Sequence, residues 1–247
     1  MLSMGIDLGG SGFRIGLFDV ETGMMHGEIV TRRHQGGLHP SEVLPALREV
    51  LTSFSWKGPI GMGFPGVVEG NQIQTAPNLG SAWCSISLDE ELSPYHDGRF
   101  TLLNDADAVA IGEARFGHGH EGHACVLTLT VGTGLGTTVH RNGVMEANLE
   151  FGRLPHPTRS GVLEEHLSGR VRQEENLSIP AWCERFQEGL TFLEQLVKPS
   201  LIIVYGGIVE HWTELAPQLK TEAELVSARL LSSAGPLGAA WCAVHWA

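Results

Sequence analysis

The sequence predicts an α/β fold built as two related halves facing each other across a cleft. Three observations predict it. A plan of strand, glycine turn and strand opens the chain at Leu2–Asp19 and returns at Ala124–Met145. Between them, the apolar run Phe100–Leu103 leads directly into the alanine-rich Asp105–Ala110, a buried strand entering a helix. Beyond Glu150 the apolar spacing turns helical, which supplies the second half with its covering layer.

The elements follow in order. Leu2–Asp7 and Phe13–Asp19 read as strands joined by the Gly9–Gly12 turn, and Met25–Arg32 as a third after Glu21-Thr22-Gly23. Ser41 is the expected N-cap of a helix through Val43, Leu44, Leu47 and Leu51. Pro59–Phe64 is a short strand entering a tight turn at Pro65-Gly66, and Val67–Thr75 is a hairpin around Gly70-Asn71. The loop Ala76–Trp83 leads to the central strand and helix. Ala124–Thr130 and Leu135–Arg141 pair around the second glycine turn, and Asn142-Gly143 signals a hairpin. Ser178-Ile179-Pro180 opens a long amphipathic helix through Trp182, Phe186, Leu190, Leu193 and Val197, which Pro199 stops. Leu201–Val204 is a β-branched strand ending at Gly206-Gly207, and Ala234–Trp246 is a closing helix.

Charge excludes some classes of function. The 247 residues carry a formal charge of −12, and lysine occurs only at Lys57, Lys198 and Lys220. That is the wrong balance for a nucleic-acid binder or for an anionic membrane surface. A phosphate site must then rest on backbone N–H groups, helix N-termini and a metal. Local arginines such as Arg14 and Arg115 are the charges at hand for a polyanion. Cys84, Cys125, Cys183 and Cys242 are scattered without a C-x-x-C pair, so neither a disulfide framework nor a cysteine zinc site is expected. The chain begins as a strand, and no apolar run reaches ~18 residues, so neither a signal peptide nor a membrane span is expected and the cytoplasm is.

Chemistry concentrates at Asn104-Asp105, where a strand ends and a helix begins. Both residue types suit an N-cap, and capping alone accounts for such a pair. Its neighbours suggest more: Asp7-Leu8-Gly9-Gly10-Ser11-Gly12 precedes it and Val131-Gly132-Thr133-Gly134 follows. Glycines let a backbone approach phosphate closely, and the Asp7 carboxylate can hold Mg²⁺ through water. Each turn is otherwise an ordinary glycine hairpin. Together with a carboxylate between them, they have the layout of an enzyme that deprotonates a hydroxyl for attack on a phosphoryl group. Gly61–Gly66 and Gly117–Gly122 match G-x-G-x-x-G, but the first runs into a strand and the second precedes one, so neither is a dinucleotide fingerprint. His118, His120 and His123 beside Cys125 suggest a metal or, more plainly, a solvated loop. Glu150–Arg153 reads as an exposed turn, and Gly206-Gly207 as either a phosphate-facing helix start or a plain turn.

The order of these segments resembles the ROK family of sugar kinases and, within it, the bacterial polyphosphate glucokinases. The likeness runs through Gly5–Gly12, Phe64–Val68, Thr75–Trp83, Asn104–Gly117, Leu127–Gly136, Glu150–Gly152 and Leu201–Ile208. It implies the actin-like ATPase (ribonuclease H-like) fold, two α/β domains around a central cleft. The smaller domain would span 1–104 and regain the helix 233–247, with the larger at 105–232. The resemblance also implies Asp105 as general base, and Asn78, Asn104, Glu150 and Gly66 at the sugar, with residue 153 beside them. Asp7, Gly9, Gly10, Ser11, Gly12, Thr133, Gly134, Gly206 and Gly207 would meet phosphates. Mg²⁺, a donor that is ATP or inorganic polyphosphate, no zinc, and a homodimer complete the expectation.

Two departures bear on the sugar. Arg153 stands where the family motif Glu-x-Gly-His has histidine, and Leu154-Pro155-His156 follows without the next sugar-gripping glutamate. The zinc-binding cysteines of many members are absent, as in the polyphosphate-using branch, and so is the helix-turn-helix of the repressors. Two functions follow: a hexose kinase, with the 6-hydroxyl of glucose as acceptor, or a catalytically weakened relative that binds sugar through an altered pocket.

Overall fold

A computed structural model describes residues 1–34, 38–119 and 122–246. By contact the chain divides into two units, Met1–Gly117 with Ser232–Ala247, and His118–Leu231.

In the first unit, β1 (Leu2–Gly9), β2 (Gly12–Asp19) and β3 (Met24–Arg33) form an antiparallel meander. Helix α1 (Pro40–Phe54) then crosses to β4 (Ile60–Phe64), which pairs parallel with β1. The small hairpin β5 (Val68–Glu69) and β6 (Gln72–Ile73) and the short helix α2 (Leu88–Leu92) precede β7 (Phe100–Asn104), which adds parallel to β4. The sheet order is β3-β2-β1-β4-β7. Asn71, in the hairpin turn, covers the free edge of β7: its side chain donates to Phe100 O at 3.0 Å and accepts from Leu102 N at 2.8 Å. Helix α3 (Asp105–Phe116) follows β7 without a break. The expected cap of α1 is corrected. His39 is the N-cap and accepts from Ser41 N, while the Ser41 hydroxyl bonds the same ring nitrogen at 2.8 Å.

The C-terminal helix, Ala234–His245, packs on β1, β4 and α3 through missing side chains. A Cβ on Gly5 would lie 1.7 Å from Pro236 O, one on Gly61 1.7 Å from Ala239 O, and one on Gly112 2.3 Å from Ala234 O. The apposed backbones leave no room for even a methyl group. This packing draws α3 into the first unit, so its residues group with the N-terminal sheet rather than with the domain expected to begin at residue 105.

The second unit repeats the plan. β8 (Cys125–Val131), β9 (Leu135–Arg141) and β10 (Val144–Glu146) form an antiparallel meander. After the short helices α4 (Glu164–Leu167) and α5 (Gly169–Glu174) and the long α6 (Ile179–Val197), β11 (Leu201–Tyr205) joins β8 in parallel. Helix α7 (Trp212–Leu215) leads to β12 (Glu224–Ser227), parallel to β11, giving the order β10-β9-β8-β11-β12. Ser178 caps α6 by accepting from Ala181 N, and Trp182, Phe186, Leu190 and Leu193 are all fully buried on one face.

Candidate active site

The first unit presents Asp105 at the junction of β7 and α3. Asn104 has extended dihedrals and does the capping: its Oδ1 accepts from Ala106 N at 2.8 Å and Asp107 N at 3.1 Å. Its Nδ2 donates to Gly66 O at 3.0 Å, so this buried side chain clamps the Phe64-Pro65-Gly66 turn to the helix start. The capping alternative thus applies to Asn104, whose amide is committed to backbone partners. Asp105 is the first helical residue and half-buried, and its Oδ1 shares the Ala106 N–H at 2.9 Å. A carboxylate in the first turn of a 12-residue helix is favoured by the aligned peptide dipoles. Gly63 makes room beneath it, since a Cβ there would lie 3.3 Å from Asp105 Cα.

The loop 76–83 is anchored by Trp83. That indole is fully buried, donates to Leu38 O at 2.7 Å and meets the Phe64 ring at 5.4 Å between centroids. Asn78 is exposed on this loop. Gly66 tolerates no side chain, because a Cβ would lie 2.0 Å from Thr75 O.

Asp7 leads into the β1–β2 turn containing Gly9, Gly10, Ser11 and Gly12. It is buried, and Arg14 Nη1 reaches its Oδ2 at 3.2 Å. Burial pushes the carboxyl above the ordinary range while Arg14 pulls it down. Gly235 of the C-terminal helix abuts it; a Cβ there would lie 2.8 Å from Asp7 Cγ. A single carboxylate next to a glycine turn is a fitting donor for Mg²⁺, which takes one or two carboxylates and completes its shell with water and substrate phosphates. Arg115, the other arginine expected near the donor, lies instead over the Trp241 ring, 4.3 Å from its centroid.

The second unit brings its glycine turn against two other backbones. Gly132 N donates to Gly134 O at 3.1 Å, and Gly132 O accepts from Arg170 N at the start of α5. Gly206, at φ 113°, lies so close that a Cβ would sit 2.1 Å from Val131 O. Gly132 and Gly207 have open space where a side chain would be. Gly207 opens only the 3-10 turn Gly207–His211, not a full helix, so its dipole adds little.

Glu150 opens the 3-10 turn Phe151–Arg153, which is stapled to β9. Phe151 N donates to Thr137 Oγ1 at 3.1 Å, and that hydroxyl donates to Leu149 O at 2.6 Å. Although Glu150 is exposed as a residue, desolvation raises its carboxyl; Arg153 opposes the rise and Glu164 adds to it. Arg153 does not pair with Glu150. Its Nη1 lies 3.6 Å from Glu164 Oε1, and Glu164 Oε2 accepts from Leu135 N at 3.1 Å. Glu164 lies eleven residues beyond Arg153 in the chain, too far for the spacing of a Glu-x-Gly-His-type motif to point to it. Its position at the head of α4, just before Leu167-Ser168-Gly169, was the available signal.

The histidine tract does not gather. His118 Nε2 meets Ser227 O at 2.8 Å, His123 Nδ1 meets Ser200 Oγ at 3.3 Å, and His120 lies outside the described residues. Among the described residues no three His, Cys, Asp or Glu side chains are placed to hold a metal ion, and no helix is long and apolar enough to cross a membrane.

Comparison with known proteins decides the family. The ROK family profile matches residues 3–148. Polyphosphate glucokinase of Mycobacterium tuberculosis is 33% identical over 241 residues, 97% of this chain and 90% of that protein. The chain belongs to the ROK family. The inorganic polyphosphate/ATP-glucomannokinase of Arthrobacter sp. strain KM superposes with a TM-score of 0.91 at 29% identity, covering 100% of this chain and 99% of that one. A ROK family glucokinase from Streptomyces griseus, solved with glucose and AMPPNP, shares the fold with a TM-score of 0.77 at 22% identity, over 97% and 98% of the two chains. The two matched five-stranded sheets are those of the actin-like ATPase fold.

Proposed function

We propose that this ROK protein is a hexose kinase, transferring a phosphoryl group from polyphosphate or ATP to the 6-hydroxyl of glucose. The observation that carries the reading is the division of labour at the β7–α3 junction. Asn104 takes the cap and the Gly66 clamp, and Asp105 follows it as the first residue of α3, a carboxylate at the strand end.

Asp105 accepts the proton as the sugar hydroxyl attacks, and the bridging P–O bond of the donor breaks toward the leaving phosphate. Asn78 and Glu150 orient the sugar hydroxyls, with Glu164 as a second carboxylate beside Glu150. Gly66 keeps its turn close to the sugar, and Asn104 holds that turn in place. The open backbones at Gly9–Gly12, Thr133-Gly134 and Gly206-Gly207 receive phosphate oxygens. Mg²⁺, when bound, would be held by Asp7 through water and would neutralise charge on the donor phosphates. The cytoplasm is the working compartment, and a homodimer the working assembly.

The Arg153–Glu164 pair favours a second reading, a weakened sugar binder, because it engages a carboxylate that would otherwise accept sugar hydroxyls. A coupled assay crossing a hexose panel with ATP and polyphosphate separates the two. Transfer to glucose from either donor supports the kinase. Sugar binding without transfer from either donor supports the weakened relative.

A further inference from the structure

We propose that Arg32 and Arg33, at the end of β3, form an anion subsite beside the Gly9–Gly12 turn that takes the trailing phosphoryl groups of a linear polyphosphate donor. The inference rests on the kinase reading and adds to it where a donor longer than ATP's triphosphate would run.

The register places both arginines at the turn. Arg33 lies directly opposite Gly12, and Arg32 opposite Phe13. Facing residues of an antiparallel ladder have Cα atoms about 4.5–5.5 Å apart. Because side chains alternate along strands, Arg33 shares a sheet face with Gly12, Arg14 and Asp7, whereas Arg32 stands on the face of Phe13. The contact is tight: a Cβ on Gly12 would lie 2.1 Å from Arg32 O. His34 N then donates to Ser11 O at 3.1 Å, tying the end of β3 to the turn itself. A phosphate received by this turn would therefore have a cationic side chain on either side of its backbone.

Charge separates these two arginines from most others. Seven of the chain's arginines, from Arg14 to Arg185, hold a carboxylate in an ion pair. Arg32 and Arg33 are exposed and hold none among the described residues. Asp7, a carboxylate on the Arg33 face, is already matched by Arg14. In a chain of formal charge −12, two adjacent uncompensated guanidinium groups at a phosphate turn form a local attractor for a polyanion. Guanidinium suits phosphate oxygens, offering parallel N–H donors while remaining charged. A triphosphate received by the turn presents few charges beyond it, whereas a long chain presents many, so the subsite discriminates by chain length.

The test is steady-state kinetics of the full chain with glucose and three donors, ATP, tripolyphosphate and long-chain polyphosphate, using wild type, Arg32→Ala/Arg33→Ala and Arg33→Glu. The expected result is a rise in KM for long-chain polyphosphate of about fivefold or more in the alanine pair and larger in the glutamate variant. KM for tripolyphosphate should rise much less, and the salt dependence of long-chain KM should flatten. Equal changes with short and long donors, or no change, overturn the subsite, provided the variants melt as wild type does. A wild type that uses ATP while long-chain polyphosphate neither donates nor competes also overturns it and leaves the kinase reading standing. Absence of transfer to glucose from all three donors overturns the glucose-kinase reading itself.

Discussion

Arg153 and Glu164 lie 3.6 Å apart, and the second oxygen of Glu164 holds the Leu135 N–H at 3.1 Å, directly after the Gly132–Gly134 turn. One carboxylate thus links the segment bearing Glu150 to the strand that leaves the glycine turn. Glu164 is buried, so removing it strands a buried donor. Glu164→Ala should cost ~1–3 kcal/mol, the usual penalty for an unpaired buried polar group. Glu164→Gln keeps an acceptor for Leu135 N–H and should recover most of that stability in urea titrations. If the carboxylate also accepts sugar hydroxyls, both variants lose glucose affinity, and only the alanine variant loses stability.

Arg153 itself separates this chain from the Glu-x-Gly-His pattern. Arginine offers donors only and stays charged, whereas neutral histidine offers one donor and one acceptor. Glucose should therefore bind weakly, with KM above the ~1 mM upper end usual for enzymes. Arg153→His should lower that KM by releasing Glu164 Oε1. Saturation of the wild type at micromolar glucose would show that Arg153 does not weaken the pocket.

Asn104 offers a structural test independent of activity. It makes two capping bonds and the link to Gly66 O. Asn104→Ala should lower stability by ~1–2 kcal/mol or more, the range for a lost N-cap with an additional buried acceptor left open. Asn104→Asp keeps the cap but cannot donate to Gly66 O, so it should fall between the two in chemical denaturation. An alanine variant as stable as wild type would mean the cap and clamp contribute nothing.

These two sites mark how far the sequence could be read. The strand–turn–strand plan, the Phe100–Ala110 junction and the α6 stripe were legible because burial imposes periods of two and 3.6 on their side chains. Strand β12 is not legible in the sequence: Glu224–Ser227 is too short and too little buried to show a period. The cap of α1 lies at His39 rather than at the expected Ser41, because this histidine performs a role usually taken by hydroxyl or carboxamide side chains. At the site, Asp105 stood out by residue type at a strand end. The Arg153–Glu164 pair did not, since only tertiary folding of the Leu154–Leu163 loop brings the two together. The roles of the glycines at 61 and 5 were hidden too, because their cause is the backbone of a helix more than 170 residues away.

His156 predicts the acid side of the stability profile. Its side chain is fully buried, and Nδ1 accepts from Thr158 N at 3.3 Å and Arg159 N at 3.1 Å, so the ring must be neutral there. Burial first, and then the neighbouring His166, hold its pKa below the usual value, with Glu188 opposing. The unfolded chain therefore binds the proton more readily than the native state. Stability is complete above the unfolded value of ~6.5 and declines as pH falls below it. Glu188, held down to about 2 by Arg159 and Thr158, contributes stability above the ordinary glutamate range and loses it only at more acid pH. Thermal melts at pH 7.5 and 5.5, taken as about one unit either side of that ~6.5, should differ for wild type and less so for His156→Gln. Equal pH sensitivity in both would assign the acid decline to other groups.

Asp105→Asn tests the central claim most directly, because asparagine keeps the size and can still sit at the helix start but cannot accept a proton. Sugar binding followed by calorimetry and the melting temperature should stay close to wild type. The turnover rate with saturating glucose and donor should fall ~10²–10⁴-fold, the range for a lost general base. A variant that turns over within a few-fold of wild type would contradict the account and leave Asp105 without a catalytic role.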